Sequence, residues 1–502
     1  MDRFEDIRSL VHSWSHELRP ALAFYEGRVL AGGFRYAELH DRILAVAGYL
    51  WESLGVRPGD RIAVLSPNRL EVPLLVLGAM YIGAAVVPLN PTAPADDWRY
   101  VIGHSRARGC FAAGSLGAKL AGVDAFVRPI DELARVCGDA PACASGSAMP
   151  AVILYTSGTT GRPKGVVLSQ QSLLANAWSM ATNFGLSETA QLAVLPLYHA
   201  HALGFGLMTA LTTGGHLVFT DKLDPFAWPQ IIRAHEVVYT SVVPTLLPLL
   251  LQVKVAAATL PSLKAILVSS APLTIELARE FEQRTRIPLI QGWGLSEYTN
   301  FACCMSPDED LLFEHELPSI GTPLPGTEVR IVDGELQVRG HSTMLSYLDD
   351  PDATAKVLDA DGWLRTGDQG LCINGRYFIT GRIKEIIIRG GEKHSPLALE
   401  RILTAAVPEL AGRIAVLGFP HAVHGEEVGA YVESEAASAD VRARLSAALE
   451  AMGSEQRPKI VLFGARPIPR THTGKVQRRK LQPLFGPHES CRGPTQLVDL
   501  TG

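Results

Sequence analysis

The sequence predicts an α/β protein with two unequal domains. Apolar patterns of helical and of strand spacing alternate along the first part of the chain, and a short hairpin-rich region follows them. A separate, shorter set of helix and strand patterns occupies the C-terminal part. The 502 residues amount to about three domain lengths. We therefore expect a large N-terminal domain of helix-wrapped sheets with a small barrel-like region, followed by a small mobile α+β domain.

The N-terminal pattern is typical of a mostly parallel sheet. Apolar residues recur at helical spacing over residues 36–54, and Gly55 stands where a helix C-cap glycine would. Residues 61–65 and 84–89 are apolar runs of strand length, and a second helical pattern over residues 71–82 lies between them. Helices and strands in alternation predict a sheet that helices wrap.

The middle of the chain continues this pattern and then changes to short antiparallel strands. Asp333-Gly334 is a favoured hairpin turn between two alternating segments. The other predicted elements are strands over residues 151–154, 166–168, 237–244, 263–270 and 288–291, and a helix over residues 170–182.

The C-terminal part predicts a helix near residues 397–405, a strand near 414–418 and a helix near 439–451. Beyond about residue 484 the chain is rich in glycine, proline and serine, so we expect a disordered tail there.

Composition narrows the class of protein. Hydrophobic residues make up 47% of the chain and charged residues 19%, as in a soluble enzyme. No apolar run reaches the ~20 residues of a membrane span, and the N-terminal residues do not resemble a signal peptide. The net charge of −5 gives no reason to expect nucleic acid as a partner. Seven cysteines without a Cys-x-x-Cys pair argue against a disulfide framework or a structural zinc site, so we expect a cytoplasmic protein.

The segment Tyr155–Gly165, with the sequence YTSGTTGRPKG, joins two predicted strands. Its glycines let the backbone approach a ligand, and hydroxyl and backbone N–H groups can surround phosphate oxygens. Lys164 and Arg162 supply positive charge. A flexible polar hairpin loop explains the same composition equally well. A Walker A loop is excluded, because no Gly-Lys-Ser/Thr follows at the required spacing.

Polar residues also follow later predicted strands, where ligands of such sheets usually bind. His199 and His201 end the segment LAVLPLYHAH. Each histidine is by itself more typical of a hydrogen-bonded structural side chain, and no third ligand supports a metal site. Glu297, in GWGLSE, is a hard oxygen ligand suited to magnesium. Asp368, in GWLRTGD, has a carboxylate that can accept two hydroxyl hydrogen bonds, although a turn aspartate capping its own backbone is the alternative.

These motifs together resemble those of the adenylate-forming enzymes, which include acyl-CoA synthetases, coumarate ligases, luciferases and adenylation domains. The resemblance is carried by TSGTTGRPKG, GWGLSE, GWLRTGD, TGRIKE and PRTHTGK, in the family's order, and covers roughly residues 34–482. Family members usually have Tyr-Gly-x-Thr-Glu where this chain has Trp293-Gly294-Leu295-Ser296-Glu297. Both departures are conservative, since indole stacks as well as phenol and serine keeps the hydroxyl.

The resemblance implies roles for nucleotide-binding residues. Trp293 would stack on adenine, Ser296 would meet phosphate, Glu297 would hold Mg²⁺, Asp368 would bind the ribose and Arg382 would contact the nucleotide. The implied phosphate loop consists of Thr156, Ser157, Gly158, Thr159, Thr160, Gly161 and Lys164.

The resemblance also implies a catalytic set, an acid pocket and a hinge. Lys475 would be the catalytic lysine, with Glu297, Thr156 and His199 as the other catalytic residues. Lys384 would be the hinge between residues 1–383 and residues 384–502, and Gly390 and Gly391 would line a thiol tunnel. The implied acid pocket consists of His199, Phe205, Val243, Ser269 and Ser270. Serines 269 and 270 stand where the family often has glycine, which predicts a narrowed, polar pocket for a short, polar or functionalised acid.

The implied reaction uses ATP and Mg²⁺ to convert a small carboxylic acid into an acyl-adenylate, and then transfers the acyl group to a thiol. Coenzyme A is the favoured thiol. The first alternative is a stand-alone enzyme that loads the phosphopantetheine arm of an acyl carrier protein. The second is a catalytically inactive acyl- or nucleotide-binding module, which the presence of Lys475, Glu297 and Asp368 disfavours.

Overall fold

The computed structural model describes residues 4–141, 146–156, 162–253, 255–314, 317–471, 474–491 and 493–500. The α-helices in this part of the chain are α1 Ile7–His12, α2 Tyr36–Gly48, α3 Glu71–Tyr81, α4 Ala95–Ser105, α5 Gln170–Phe184, α6 Thr209–Thr212, α7 Trp228–Ala234, α8 Leu247–Leu251, α9 Ile275–Thr285, α10 Pro351–Val357, α11 Pro396–Ala406 and α12 Ala439–Ala451.

The strands are β1 Pro20–Glu26, β2 Val29–Arg35, β3 Arg61–Leu65, β4 Ala85–Leu89, β5 Gly109–Ala112, β6 Phe126–Pro129, β7 Pro150–Thr156, β8 Lys164–Ser169, β9 Ala190–Ala193, β10 His216–Thr220, β11 Tyr239–Val242, β12 Ala265–Val268, β13 Leu289–Gly294, β14 Phe301–Cys304, β15 Phe313–Glu314, β16 Leu317–Pro318, β17 Thr322–Pro323, β18 Thr327–Val332, β19 Glu335–Gly340, β20 Ser346–Tyr347, β21 Leu364–Ile373, β22 Arg376–Arg382, β23 Ile387–Arg389, β24 Glu392–His394, β25 Ile414–His421, β26 Gly425–Glu433, β27 Ile460–Gly464 and β28 Gln496–Asp499.

Two large, mostly parallel sheets form the body of the molecule. One has the strand order β17-β14-β13-β12-β11-β9-β10-β1-β2, and the other has the order β20-β8-β7-β4-β3-β5-β6. The first sheet contains six consecutive strands that run parallel to one another, in the order β13, β12, β11, β9, β10 and β1. Their carboxyl ends therefore meet at one edge of the sheet, which is where the predicted acid-pocket residues follow. The predicted α/β fold is confirmed.

Local signals account for the boundaries of the helices. Helix α5 begins after Ser169, whose side chain accepts a hydrogen bond from the Ser172 N–H, and ends at Gly185 with φ +60°. Helix α12 has the predicted bounds. The predicted helix over residues 36–54 is α-helical only to Gly48 and continues as one π-helical turn, Tyr49–Ser53.

A third sheet differs from the prediction. The expected barrel-like region is an antiparallel sheet of four strands in the order β18-β19-β21-β22, and no closed barrel is found among the described residues. The sheet stays open because β18 and β22 are its two edges and do not pair with each other. The predicted hairpin at Asp333-Gly334 joins β18 to β19, with both residues at positive φ.

The C-terminal part contains a separate sheet in the order β24-β23-β26-β27-β28, with β25 paired to β26. Helices α11 and α12 pack on it around a core of their own. The short 3₁₀ segment Ile383–Glu385 connects β22 to β23, so Lys384 lies between the two regions and is exposed.

The expectation of a disordered tail is wrong for the described residues beyond position 484. Phe485 is fully buried and stacks on Phe419, with ring centroids 5.1 Å apart. Strand β28 pairs in parallel with β27, so that Leu497 lies opposite Val461. Gly486 and Pro487 lie within the 3₁₀ segment Gln482–His488, and the buried phenylalanine and the strand pairing fix this part of the chain in place. Among the described residues, no helix combines the length and the apolar character that crossing a bilayer requires.

Candidate active site

The predicted site residues converge on the carboxyl edge of the nine-stranded sheet. His199 follows β9, Val243 follows β11, Ser269 and Ser270 follow β12, and Trp293 lies near the end of β13. Adjacent parallel strands place these positions side by side, as expected for ligand sites in sheets of this kind.

Asp368 is a buried carboxylate with two strong partners. Its side chain is 8% exposed. The Arg382 Nε lies 3.0 Å from its Oδ1 in an ion pair, and the Trp293 indole N–H donates to its Oδ2 at 2.9 Å. These contacts join three elements, because Asp368 lies on β21, Arg382 ends β22 and Trp293 lies on β13. The carboxylate is thus held in one orientation before any ligand binds.

The contact of Trp293 adds to its predicted role. Its side chain is 8% exposed and packs into the main core, while its N–H holds Asp368. A tyrosine or phenylalanine has no N–H at this position, so the hydrogen bond depends on the indole. Adenine stacking by Trp293 stays a prediction.

Glu297 lies just beyond β13, half-buried in the short 3₁₀ segment Ser296–Tyr298. The Tyr347 hydroxyl donates to its Oε1 at 2.8 Å. Burial, followed by the charge of Glu297 and this hydrogen bond, raises the pKa of Tyr347, so the phenol stays protonated and keeps donating. Among the described residues, Tyr347 is the hydrogen-bond partner of this carboxylate.

The predicted phosphate loop is only partly within the described residues. Ser157, Gly158, Thr159, Thr160 and Gly161 lie outside them. Thr156 ends β7 and pairs in register with Lys164, which begins β8. The Lys164 Nζ lies 3.1 Å from Asp350 Oδ2, so the lysine at the base of the loop is anchored by a carboxylate.

Lys475 lies in the same site. Burial, and next the Arg382 guanidinium, lower the pKa of Lys475 to about 8, while the carboxylates of Asp368 and Glu297 oppose this. These interactions show that a lysine 93 residues beyond Arg382 in sequence shares its electrostatic environment, so the loop of Lys475 lies against the predicted nucleotide residues.

Gly474 explains how closely the lysine loop docks. It has φ +86°, which favours glycine, and a Cβ added there would lie 3.0 Å from Thr245 Cγ2 and 3.7 Å from Ala271 Cβ. The loop backbone therefore packs directly on residues that follow β11 and β12. The Thr471 hydroxyl accepts a hydrogen bond from the Lys475 N–H at 3.1 Å and fixes the turn.

The predicted acid-pocket residues divide into exposed and core positions. His199 is half-buried, and its ring lies 4.4 Å from that of Tyr198. Phe205 is 2% exposed and packs against Phe184, so it is a wall of the core as much as of a pocket. Val243 is buried in the main core.

Three predicted residues lie apart from this centre. Lys384 is exposed between the two regions of the chain. Gly390 and Gly391 form the exposed turn between β23 and β24, with φ +57° and +94°. The Gly390 N–H donates to the His424 carbonyl at 3.0 Å, so this turn faces the C-terminal sheet.

The sequence pattern did not single out Tyr347, Asp350 or Thr245. Each lies far along the chain from the residue it contacts, and none belongs to a glycine-rich motif. His201 was noted only as one of two histidines, and its partners, Ser269 and Ser270, are 68 and 69 residues away.

Comparison with known proteins assigns the family. The family model described as AMP-binding enzyme matches residues 18–348. The chain therefore belongs to the AMP-binding enzyme family.

Relatives and solved structures agree with this assignment. A sulfoacetate–CoA ligase of Cupriavidus necator is 33% identical, over 86% of this chain and 89% of its own length. A 4-coumarate–CoA ligase-like protein 6 of Oryza sativa subsp. japonica is 31% identical, over 89% of this chain and 81% of its own. The ATP-bound structure of MatB from Rhodopseudomonas palustris has a TM-score of 0.85 at 27% identity, and covers 97% of this chain and 100% of that chain.

The Asp368 contacts generate a prediction about nucleotide affinity. Trp293→Phe removes the N–H but keeps an aromatic ring, so the carboxylate should lose orientation and AMP affinity should fall about 10-fold. Asp368→Ala should lower AMP affinity and kcat/KM for ATP by about 10- to 100-fold. Titration calorimetry measures the affinity of the two variants for AMP and for 2′,3′-dideoxy-AMP. The dideoxy nucleotide, which lacks the hydroxyls, should bind the two variants as it binds the parent protein. Unchanged AMP affinity in folded Asp368→Ala would contradict the ribose assignment.

Proposed function

We propose that this protein is an ATP-dependent acid–CoA ligase, which forms an acyl-adenylate and then transfers the acyl group to coenzyme A. The observation that carries the proposal is the docking of Lys475 beside Asp368, Glu297 and Arg382. Family membership supports the adenylate chemistry, and the relatives named as CoA ligases support the thiol.

In the first half-reaction, a carboxylate oxygen of the acid attacks the α-phosphorus of ATP. The new bond is O–P, the bond from the α-phosphorus to the β-phosphate oxygen breaks, and pyrophosphate leaves. Two anions must approach each other, so positive charge and positioning are the main contributions that a protein can make. We assign Lys475 to neutralise charge between the carboxylate and the α-phosphate, and Asp368 with Arg382 to hold the nucleotide.

The remaining nucleotide groups are assigned by position. Thr156 and Lys164 flank the predicted phosphate loop, and Ser296 lies beside Glu297. Glu297 fits the requirement for a magnesium ligand, because Tyr347 binds one of its oxygens and magnesium prefers one or two carboxylates together with phosphates. When bound, Mg²⁺ would offset negative charge on the phosphates. His199, beside the ends of β9 and β11, is assigned to the acid.

In the second half-reaction, the thiol sulfur attacks the acyl carbon, the mixed-anhydride C–O bond breaks, AMP leaves and the thiol loses its proton. We infer that the C-terminal region moves between the two steps, so that Lys475 leaves the site before the thiol enters. We assign Lys384 as the hinge, between residues 1–383 and 384–502. The exposed turn at Gly390 and Gly391 would then face the site. A carrier-protein phosphopantetheine is the alternative thiol.

The substrate is assigned as a short, polar or functionalised acid. Ser269 and Ser270 place two hydroxyl groups just beyond β12, and Phe205 is packed in the core, so we infer that space for a long alkyl chain is restricted. The reaction needs small cytoplasmic cofactors, which agrees with the predicted location.

Pyrophosphate exchange tests the function as a whole. The purified protein should incorporate labelled pyrophosphate into ATP only when Mg²⁺ and an acceptable acid are present. Adding coenzyme A should yield a thioester and AMP, whereas a phosphopantetheinylated carrier protein should not become acylated. Exchange without thioester on coenzyme A, and with carrier loading, would favour the alternative. Absence of exchange with all acids, including C12–C16 fatty acids, would contradict the ligase proposal.

The two half-reactions should separate by mutation. Lys475→Ala should slow pyrophosphate exchange by about 10²- to 10³-fold, because a preorganised charge is lost, and should spare thioester formation from synthetic acyl-adenylate. Gly391→Leu should do the reverse, since its side chain would block the thiol path. Gly391→Ala, which shares the positive-φ strain without the bulk, is the control for Gly391→Leu, and exposed Lys480→Ala is the control for Lys475→Ala. If both variants slow both steps equally, the two-orientation mechanism is wrong.

The lowered pKa of Lys475 predicts a pH dependence. Lysine is charged below its pKa, so the charge is present at pH 7 and is lost as the pH rises through about 8. In pyrophosphate exchange, kcat/KM for ATP reports groups of the free enzyme and should fall above about pH 8. Lys475→Arg keeps its charge, so its residual activity should show no such fall. If kcat/KM of Lys475→Arg falls in the same way, the fall is caused by a group other than Lys475.

A further inference from the structure

A largely buried polar cluster forms part of the proposed acid pocket. The histidine–serine cluster consists of His201, Ser269 and Ser270. Ser269 Oγ lies 2.8 Å from His201 Nδ1, and Ser270 Oγ lies 3.5 Å from the same nitrogen and 3.4 Å from Ser269 Oγ. His201 is 5% exposed and Ser269 is 4% exposed.

Ser270 adopts a strained backbone conformation. Its φ is +72°, a region that favours glycine and that a serine occupies at a cost of roughly 1 kcal/mol or more. A glycine would satisfy the same turn without strain. Strain of this kind is concentrated at functional sites, so the serine hydroxyl is itself a candidate for a role in binding.

One polar atom of the cluster and one atom near it lack hydrogen-bond partners among the described residues. His201 Nε2 is buried and has no hydrogen-bond partner among the described residues, and the same is true of Asn300 Nδ2. The two side chains are close in the fold: Gly204, one helical turn beyond His201, would place a Cβ 2.8 Å from Asn300 Nδ2. The edge of the Phe301 ring lies against His201, with centroids 5.1 Å apart. Buried polar atoms are nearly always satisfied, so a bound group is expected here.

The cluster also lies next to the loop that carries Lys475. Ala271, the residue after Ser270, is one of the two residues on which Gly474 packs, 3.7 Å from the position of its Cβ. Lys475 follows Gly474 directly. A small acid whose carboxylate meets Lys475 would therefore bring its other end into the region of the cluster.

The cluster is uncharged. Burial lowers the pKa of His201 to about 3, so the imidazole is neutral at any physiological pH. Among the described residues, no lysine or arginine contacts His201, Ser269 or Ser270 through a hydrogen bond or an ion pair. A second anionic group on the substrate would lose its hydration without gaining a counter-charge.

We propose that the histidine–serine cluster selects a short carboxylic acid that carries an uncharged hydroxyl group. This rests on the proposed ligase function. A hydroxyl is both a donor and an acceptor, so it can pair with His201 Nε2 in either tautomer of the ring. His201 is thereby a specificity-determining residue that binds the substrate at the end opposite to the reacting carboxylate.

A panel of four-carbon acids tests the proposal by pyrophosphate exchange. It comprises butanoate, the 2-, 3- and 4-hydroxybutanoates and succinate. At least one hydroxy acid should exceed both butanoate and succinate in kcat/KM by about 10-fold or more, because an unpaired polar site rejects an apolar analogue. His201→Phe should abolish this preference by reducing kcat/KM for the hydroxy acid, with little change for butanoate.

Two further variants keep the test decisive. Ser270→Gly relieves the backbone strain, so it should fold with an unchanged or higher Tm and still lose selectivity. His216→Phe is the matched control, because His216 also has a buried Nε2 without a partner among the described residues but lies at the start of β10, the opposite edge of the sheet. It should retain the parent's selectivity.

The outcomes distinguish this inference from the ligase function. Exchange that is fastest with butanoate or succinate, or selectivity that His201→Phe and Ser270→Gly both leave unchanged, overturns the assignment of the cluster and leaves the ligase function standing. Absence of pyrophosphate exchange with every acid, including the C12–C16 fatty acids, overturns both the assignment of the cluster and the ligase function.

Discussion

The arrangement of the site depends on one buried carboxylate. Asp368 accepts the Trp293 N–H at 2.9 Å and pairs with the Arg382 Nε at 3.0 Å. A buried charge is tolerated only when it is paired and hydrogen-bonded, and each partner comes from a different element. The carboxylate of Asp368 therefore ties the nine-stranded sheet to the four-stranded sheet, whose edge strand β22 leads to the C-terminal region. The residues proposed to bind the nucleotide keep their geometry because the two sheets cannot shift independently without unpairing that charge.

The charged and neutral parts of the site are separated in space. Lys475, Arg382, Asp368 and Glu297 share one electrostatic environment, as the pKa of Lys475 shows. The cluster around His201 lies beyond Ala271 and is neutral. Phosphate chemistry needs compensating charge, whereas recognition of a small uncharged group needs exact hydrogen bonding in a dry pocket. The boundary between the two is the point where Gly474 packs on Thr245 and Ala271.

Glycine at 474 sets the distance between the two regions of the chain. A side chain there would meet Thr245 at 3.0 Å, so the lysine loop can lie directly on the sheet edge only without one. Close packing of this kind is specific to one orientation of the C-terminal region. In the proposed second half-reaction this contact has to be released.

Much of the fold followed from local patterns. The hairpin at Asp333-Gly334 and helix α12 have the predicted positions, since turn residues and apolar spacing act over a few neighbouring positions. The predicted barrel does not close, because closure requires the two edge strands to pair, and β18 and β22 do not pair with each other. The prediction of a disordered tail was wrong because it was based on composition. Composition does not indicate that Phe485 packs in a buried position against Phe419.

For the site, the sequence by itself determined which residue types were present: a lysine on a glycine loop, acidic residues at strand ends and a glycine-rich loop after β7. The tertiary structure decided their contacts. The bond from Trp293 to Asp368 spans 75 residues, and the one from Tyr347 to Glu297 spans 50. The tertiary structure also places His201 within hydrogen-bond distance of Ser269 and Ser270, and Ser270 lies in a strained turn. Motif spacing constrains the chain locally, whereas these contacts depend on how distant strands align at one sheet edge, which only the folded packing fixes.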